Sequence, residues 1–390
     1  MSQKLNISRF LLFVLFWTGC QTIQFERPNI VTDSDWLVDG YTQNRSRSTS
    51  DGLALPLEVA WEYNAAAAFG PGSPLILNGV VLIGTNKGEV HSIELATGRK
   101  RGFKNFGDGI EAPLAISEGF MYVASAWGKR VLTAFDLKKA TFLWKNGGTP
   151  IESGFVVTDG LIIAADVQGM VHAFDQKTGE EQWKIELGDR VSVQSSLLLI
   201  QNKGVFVVDD AGRASLLNIL DGSVLWSRQL SGPVYEGASS IGSSIAVSTT
   251  RGTVEVLDSD DGSAKWIYHS TNSSVRFGAT AISENLVVVG ATDGVVRAFL
   301  VENGVEKWST QLPDVVVAAP LIEKNVVYVG SLGRKLYAFD LQDGTTRWET
   351  TLKGRIKSAM AISEGGLLVL SEPRNVTYFK TAVGLKDASN

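Results

Sequence analysis

The chain has one cysteine, three histidines and only 10 prolines in 390 residues. The single cysteine, Cys20, excludes an intrachain disulfide and any metal or iron–sulfur centre built from several thiolates. With so few histidines a nucleophile–base pair is hard to assemble, and no GxSxG, Walker, Rossmann or HExxH pattern is present. An excess of basic charge is lacking too. The 36 Lys and Arg against 41 Asp and Glu leave a formal charge of −5, which argues against nucleic acid as a partner. What the chain does have is glycine, 40 residues, tryptophan, 10 residues, and a globular 44% hydrophobic content. Its length fits two or three domains, or one repetitive architecture.

Residues 1–20 read as an address. Lys4 and Arg9 precede an apolar run over residues 10–17, followed by Thr18-Gly19-Cys20. Eight apolar residues are far fewer than the ~20 that span a bilayer as a helix, so the pattern is that of a secretory signal. Cys20 directly after the apolar run resembles the lipobox of bacterial lipoproteins, with Trp17 standing where that motif usually has Leu. The resemblance implies lipidation at Cys20, and Gln21 after it implies sorting to the outer membrane; an ordinary signal with an incidental cysteine is the alternative. Residues 21–55, including Asn44-Arg-Ser-Arg-Ser-Thr-Ser, are polar and aperiodic and read as a solvated tether. The stretch from Trp36 to Arg45 resembles the lead-in that precedes many propellers with quinone-type repeats.

The rest of the chain is repetitive. Trp144, Trp183, Trp226, Trp266, Trp308 and Trp348 recur at gaps of 39, 43, 40, 42 and 40 residues. Five of them follow a glycine by four residues: Gly179, Gly222, Gly262, Gly304 and Gly344. Another such mark is Gly98, where Gly102 takes the Trp place, and Trp61 lies 41 residues before that. Each unit holds four runs of β-branched and aromatic residues between Gly, Asp or Asn turns, and a period of 40–45 with four strands is a propeller blade. The last 42 residues supply three strands, and the fourth lies at the other end, in residues 57–63. The expected fold is therefore all-β: an eight-bladed β-propeller over residues 56–384, of four-stranded antiparallel blades, closed by pairing its N-terminal strand with the C-terminal blade. Seven blades is the alternative if the unit without its Trp has degenerated, and residues 385–390 are left as a tail.

The pattern aromatic-Asp-x-x-(Thr/Asp)-Gly-x-x-x-Trp, as in Phe174-Asp175-Gln-Lys-Thr178-Gly179-Glu-Glu-Gln-Trp183, is similar to the pyrroloquinoline-quinone (PQQ) repeat. Two families carry that repeat. Quinoprotein alcohol dehydrogenases are longer and hold an adjacent cysteine pair against the cofactor, which one cysteine cannot supply. In length, lipobox, tether and blade number the chain resembles the lipoprotein subunit of the outer-membrane β-barrel assembly machinery, BamB. That resemblance implies a non-enzymatic scaffold without cofactor, anchored by lipid and facing the periplasm, whose partner is the barrel-assembly core subunit or another envelope protein. The family's partner-contacting Arg-Gly has a near match in Arg276-Phe277-Gly278, two residues out of register, and Asp314-Val-Val-Val replaces its Asp pair, so those contacts are not carried over. A PQQ-dependent oxidoreductase and an envelope ligand-binding or sensor propeller are the alternatives.

Loops entering each blade's first strand line one mouth of a propeller channel. They place Glu111, Glu152, Glu236, Arg276 and Lys357 as candidate channel-mouth residues, suited to a cation, a basic peptide or an acidic one; solvated rim charges paired with each other are the alternative. His91 and His172 occupy the same repeat position two blades apart, which argues against a metal pair, so neither a metal site nor a catalytic residue is expected. His269 falls in the long inter-blade stretch 267–277. Asp136, Asp175, Asp258 and Asp340 precede turns and read as turn hydrogen-bond acceptors.

Overall fold

The computed structural model describes residues 23–50, 52–125, 130–188 and 191–382. The readings for the 1–20 signal, Cys20 lipidation and the 385–390 tail fall outside these residues. Among the described residues there is no helix, and the strands form eight antiparallel sheets of four, one of which gains a fifth, parallel strand. These are the eight blades of a propeller, as the repeat requires.

Blade seven shows the build. Leu321–Glu323 lies innermost, followed outward by Val326–Gly330, Lys335–Asp340 and Thr346–Thr351. Central strands are covered on both faces by neighbouring blades, so they are unbroken apolar runs such as Leu286–Ala291, all buried. Outermost strands keep one wet face, and Ala264–His269 accordingly alternates between half-buried and exposed. His269 ends that strand opposite Thr253 rather than lying in a loop. The Asp of each repeat caps its turn: Asp175 accepts from the Lys177 and Thr178 amides at 2.9 and 2.7 Å. Asp136, Asp258 and Asp340 accept equivalent bonds.

The ring closes as expected. Leu57–Asn64 pairs antiparallel with Asn375–Thr381, Leu57 opposite Thr381 and Asn64 opposite Asn375. This completes blade eight from both ends of the propeller and disposes of the seven-blade alternative.

The repeated Trp and Gly meet across blade boundaries. Each Trp except Trp348 leans onto the glycine turn of the next blade: a Cβ on Gly98 would sit 2.6 Å from the Trp61 ring, and on Gly222 2.6 Å from that of Trp183. The same contact joins Trp144 to Gly179, Trp226 to Gly262, Trp266 to Gly304 and Trp308 to Gly344. Each indole Nε1–H donates to a carbonyl of that turn, from Trp61 to Leu95 at 2.7 Å through Trp308 to Leu341 at 2.9 Å. A one-residue bulge just before each of these Trp residues turns it toward the neighbour. Where blade one has Gly102 in place of Trp, the next blade carries Ala140 in place of Gly, at φ +56°. The exception follows from the rule: without the indole there is space for a Cβ.

The polar stretch 21–55 differs from the tether its composition describes. Residues 34–49 run around the inside of the ring and bond to the innermost strand of every blade. Trp36 exchanges two backbone bonds with Ile76, Leu37 accepts from Ile116, and the Gln43 side chain and carbonyl accept from Val157 and Leu199. Asn44, Ser46 and Arg47 accept from Ser240, Ile282 and Ile322, and Ser34 from the Ser363 hydroxyl. Ser48–Thr49 adds the parallel strand to blade seven, Ser48 opposite Ile322. The polarity of the stretch reflects these bonds rather than contact with water, and Trp36 is fully buried.

Gly222→Ala should lower stability by about 2–4 kcal/mol, because φ +73° is unfavourable for a Cβ and the Trp183 ring fills its space. Ala140→Gly should raise it by about 0.5–1 kcal/mol by relieving the same backbone conformation where no indole stands. Urea unfolding midpoints of the two variants check both signs.

Candidate functional site

One end of the channel is closed by residues 34–49 and the other opens as a funnel of about 290 Å³. Asp39 and Arg47 form part of its floor, and the loops entering the first strands form its wall, with Glu152, Glu236 and Lys357 among the lining residues. The funnel thus gathers three of the five candidate channel-mouth residues. Glu111 is placed close enough to Glu152 for that charge, after burial, to push its carboxyl above the usual range. Arg276 is exposed, is absent from the funnel lining, and uses its backbone amide to bond the Thr292 hydroxyl. Lys357 pairs with Glu372 at 3.1 Å, so its charge is answered within the wall.

The floor was missed by reading the sequence. Asp39, Arg45 and Arg47 are all buried. One Asp39 oxygen accepts from the Ser73 amide at 2.8 Å, and the other meets Arg45 at 3.2 Å and Arg47 at 3.7 Å. Arg45 also donates to the carbonyls of Leu197 and Phe155, and Arg47 to those of Thr280 and Ala238, which fixes both guanidinium planes. Burial pulls Arg45 down to about 10, with Asp39 opposing and Arg47 adding to the shift, so it stays charged at neutral pH. Burial lowers Arg47 as well, against the opposing pull of Asp39 and Glu236. Glu236 is in turn raised by desolvation, with Arg47 opposing. The arginines need close approach: a Cβ at Gly237 would lie 2.6 Å from an Arg47 Nη atom. The usable signal is the Trp36–Arg45 lead-in, together with Gly154, two residues after Glu152, and Gly237, next after Glu236.

Two cations against one carboxylate leave the floor positive, while Glu152 and Glu236 make the wall negative. Such a surface suits a polar or zwitterionic group. Its lining holds neither His nor Cys, the residues most often used as general base and as thiol nucleophile. Among the described residues no three His, Cys, Asp or Glu side chains converge as a metal site. His91 is held by Tyr63 at 2.8 Å and Glu89 at 3.0 Å, with burial lowering its pKa. His172 lies between Asp166 at 3.3 Å and Glu181 at 2.9 Å. Burial alone would lower His172, but its bonds to Asp166 and Glu181 outweigh that and raise it.

Asp39→Ala should cost about 3–5 kcal/mol by leaving two buried guanidiniums without their counter-charge, read as a lower urea midpoint and faster proteolysis within residues 34–49. His172 gives a pH signature. Its folded pKa lies above the unfolded value of 6.5, so its contribution is complete below 6.5 and is lost as pH rises through the folded value. The loss of Tm in His172→Gln should therefore be larger at pH 5.5 than at pH 8.

A family model described as outer membrane protein assembly factor BamB matches residues 58–166, 132–272, 167–315 and 315–387. A curated relative of that description from Pseudomonas aeruginosa is 32% identical over 154 residues, covering 38% of this chain and 40% of its own length. The chain spans about two fifths of the length of the first curated relatives it matches. BamB from Moraxella catarrhalis superposes with a TM-score of 0.68 at 16% identity, over 83% of this chain and all of that one. The quinohemoprotein alcohol dehydrogenase of Comamonas testosteroni superposes with a TM-score of 0.74 at 14% identity, over 94% of this chain and 83% of that one. At such identities the superpositions speak for the fold alone.

Proposed function

The chain belongs to the family described as outer membrane protein assembly factor BamB, and on that premise we propose that it is a non-enzymatic scaffold in outer-membrane β-barrel assembly. It is held by lipid at Cys20 on the outer membrane, faces the periplasm, and takes the barrel-assembly core subunit as its protein partner. The observation that carries this reading is the family match, which runs in overlapping stretches from residue 58 to residue 387 and so takes in all eight blades. The funnel supports it: a charged, closed-bottomed recess without His or Cys is suited to recognition rather than to chemistry. Exposed loops around the mouth are the surface such a scaffold needs, and docking on loops or on blade edges is the physical mode.

The quinoprotein relatives share the architecture, yet their adjacent cysteine pair has no counterpart in a chain whose one cysteine is Cys20. Fold by itself does not transfer activity.

The test is capture of the tagged, membrane-anchored protein from gently solubilised envelopes, with an absorbance spectrum of the purified material. Co-purification of the barrel-assembly core subunit, with no chromophore, is the expected result. A stoichiometric quinone-like chromophore, or absence of that subunit, would overturn the reading.

A further inference from the structure

The path of the N-terminal segment also determines which way the propeller faces. In each blade the turn after the first strand and the turn before the last lie on one face, and the funnel opens on the other. Residues 23–30 lie against that first face beneath blades one and two. The Phe25 amide donates to the Leu137 carbonyl at 2.9 Å, Gln24 bonds the Lys138 carbonyl at 3.1 Å, and Asn78 bonds that of Arg27 at 3.1 Å. Ile23 and Phe25 are buried, so the segment is fixed there. Only Gln21 and Thr22 separate Ile23 from Cys20, a span of about 10 Å when fully extended.

The charges on that face are sorted. Beside the anchored segment, blade one carries Arg99, Lys100 and Arg101, and blade two carries Lys138 and Lys139. Glu94 answers Arg99 at 3.6 Å and Asp136 answers Lys139 at 3.3 Å. Lys100, Arg101 and Lys138 have no ion pair among the described residues, although Glu26 and Glu118 lie on the same side. Across the ring the equivalent turns are more acidic, with Asp221 on blade four, Asp260 and Asp261 on blade five and Glu302 on blade six, of which Asp260 is answered by Lys203 at 2.5 Å. In a chain of net charge −5 this basic sector sits on the same face as residues 23–30.

We propose that the turn-bearing face of blades one and two rests on an anionic phospholipid surface, which tilts the propeller so that its funnel opens away from the membrane. The proposal rests on lipidation at Cys20. A short acylated segment lets the basic sector approach within a Debye length, ~8 Å, of the headgroups, where their attraction is little screened. The acidic turns opposite are repelled by the same surface. One chain of attachment leaves the disc free to rotate, and a basic patch beside it removes that freedom.

The test uses the full-length acylated protein in vesicles of phosphatidylethanolamine with phosphatidylglycerol, and in phosphatidylcholine alone. A single added cysteine carries a fluorophore at Ala96 on the turn-bearing face of blade one, at Lys87 on the opposite face of the same blade, or at Glu302 on blade six. Nitroxide-headgroup lipid reports proximity. Ala96→Cys should be quenched at least threefold more than Lys87→Cys or Glu302→Cys in the anionic vesicles. The difference should collapse in phosphatidylcholine, in high salt, and when Lys100, Arg101 and Lys138 are changed together to Gln. Equal quenching at the three positions in an acylated protein overturns the orientation while leaving the anchor standing. An N-terminal mass without acyl chains overturns the anchor and the orientation with it.

Discussion

The contact of a tryptophan on one blade with a glycine turn on the next is what makes eight separate sheets into one ring. A four-stranded blade buries its faces only against its neighbours, so blade spacing must be held at every boundary. The indole does this in two ways, by filling the space a Cβ would occupy and by donating to a turn carbonyl that the next blade leaves open. Each Trp except Trp348 therefore constrains a glycine 35 to 39 residues further on, as Trp183 does Gly222. The joint departure at Gly102 and Ala140 shows that the constraint belongs to the pair rather than to the turn. The last step of the ring is different again: blade eight draws its outer strand from Leu57–Asn64, and Trp348 packs edge-on to Phe379 at 5.8 Å.

This coupling is also why the fold was legible. Trp, Gly and the turn Asp stand four to eight residues apart within one repeat and recur from repeat to repeat, so the pattern survives in the linear order although each Trp–Gly contact joins two repeats. Strand positions follow from the same marks: the β-branched and aromatic run between turn residues in blade seven is the strand Val326–Gly330. Inner strands are harder to bound: the apolar stretch begins before Leu321–Glu323, because buried loop residues such as Ala318 have the same apolar character as the strand they lead into.

The N-terminal segment was illegible for a related reason. Its bonds are made to partners 40 to more than 300 residues away, and no local period records them. A buried arginine held by a carboxylate and by backbone carbonyls has the same letter as a solvated one. Arg45 and Arg47, set in a run of Ser, Thr and Asn, read as linker, yet they are among the most enclosed charges in the molecule. The wall residues Glu152 and Glu236 were found because repeat register places them. The floor lay outside the repeat.

Closing the channel with this segment has a mechanical consequence. A propeller of this kind is usually sealed at one seam, where its two chain ends pair, and here Leu57–Asn64 with Asn375–Thr381 provides that seam. The segment 34–49 adds a second closure at the centre, bonded to all eight blades, and it is continuous with the strand that makes the first. Opening the seam would have to strip the central bonds as well, because Leu53 and Gly52, just before the seam strand, are themselves held by the Glu323 carboxylate of blade seven. Force applied through residues 23–30 is likewise delivered to the underside of blades one and two, and then to every blade through the floor, rather than to one peelable edge. Under such load the wall loops keep a fixed relation to one another, because each is tied through its own blade to the same central segment.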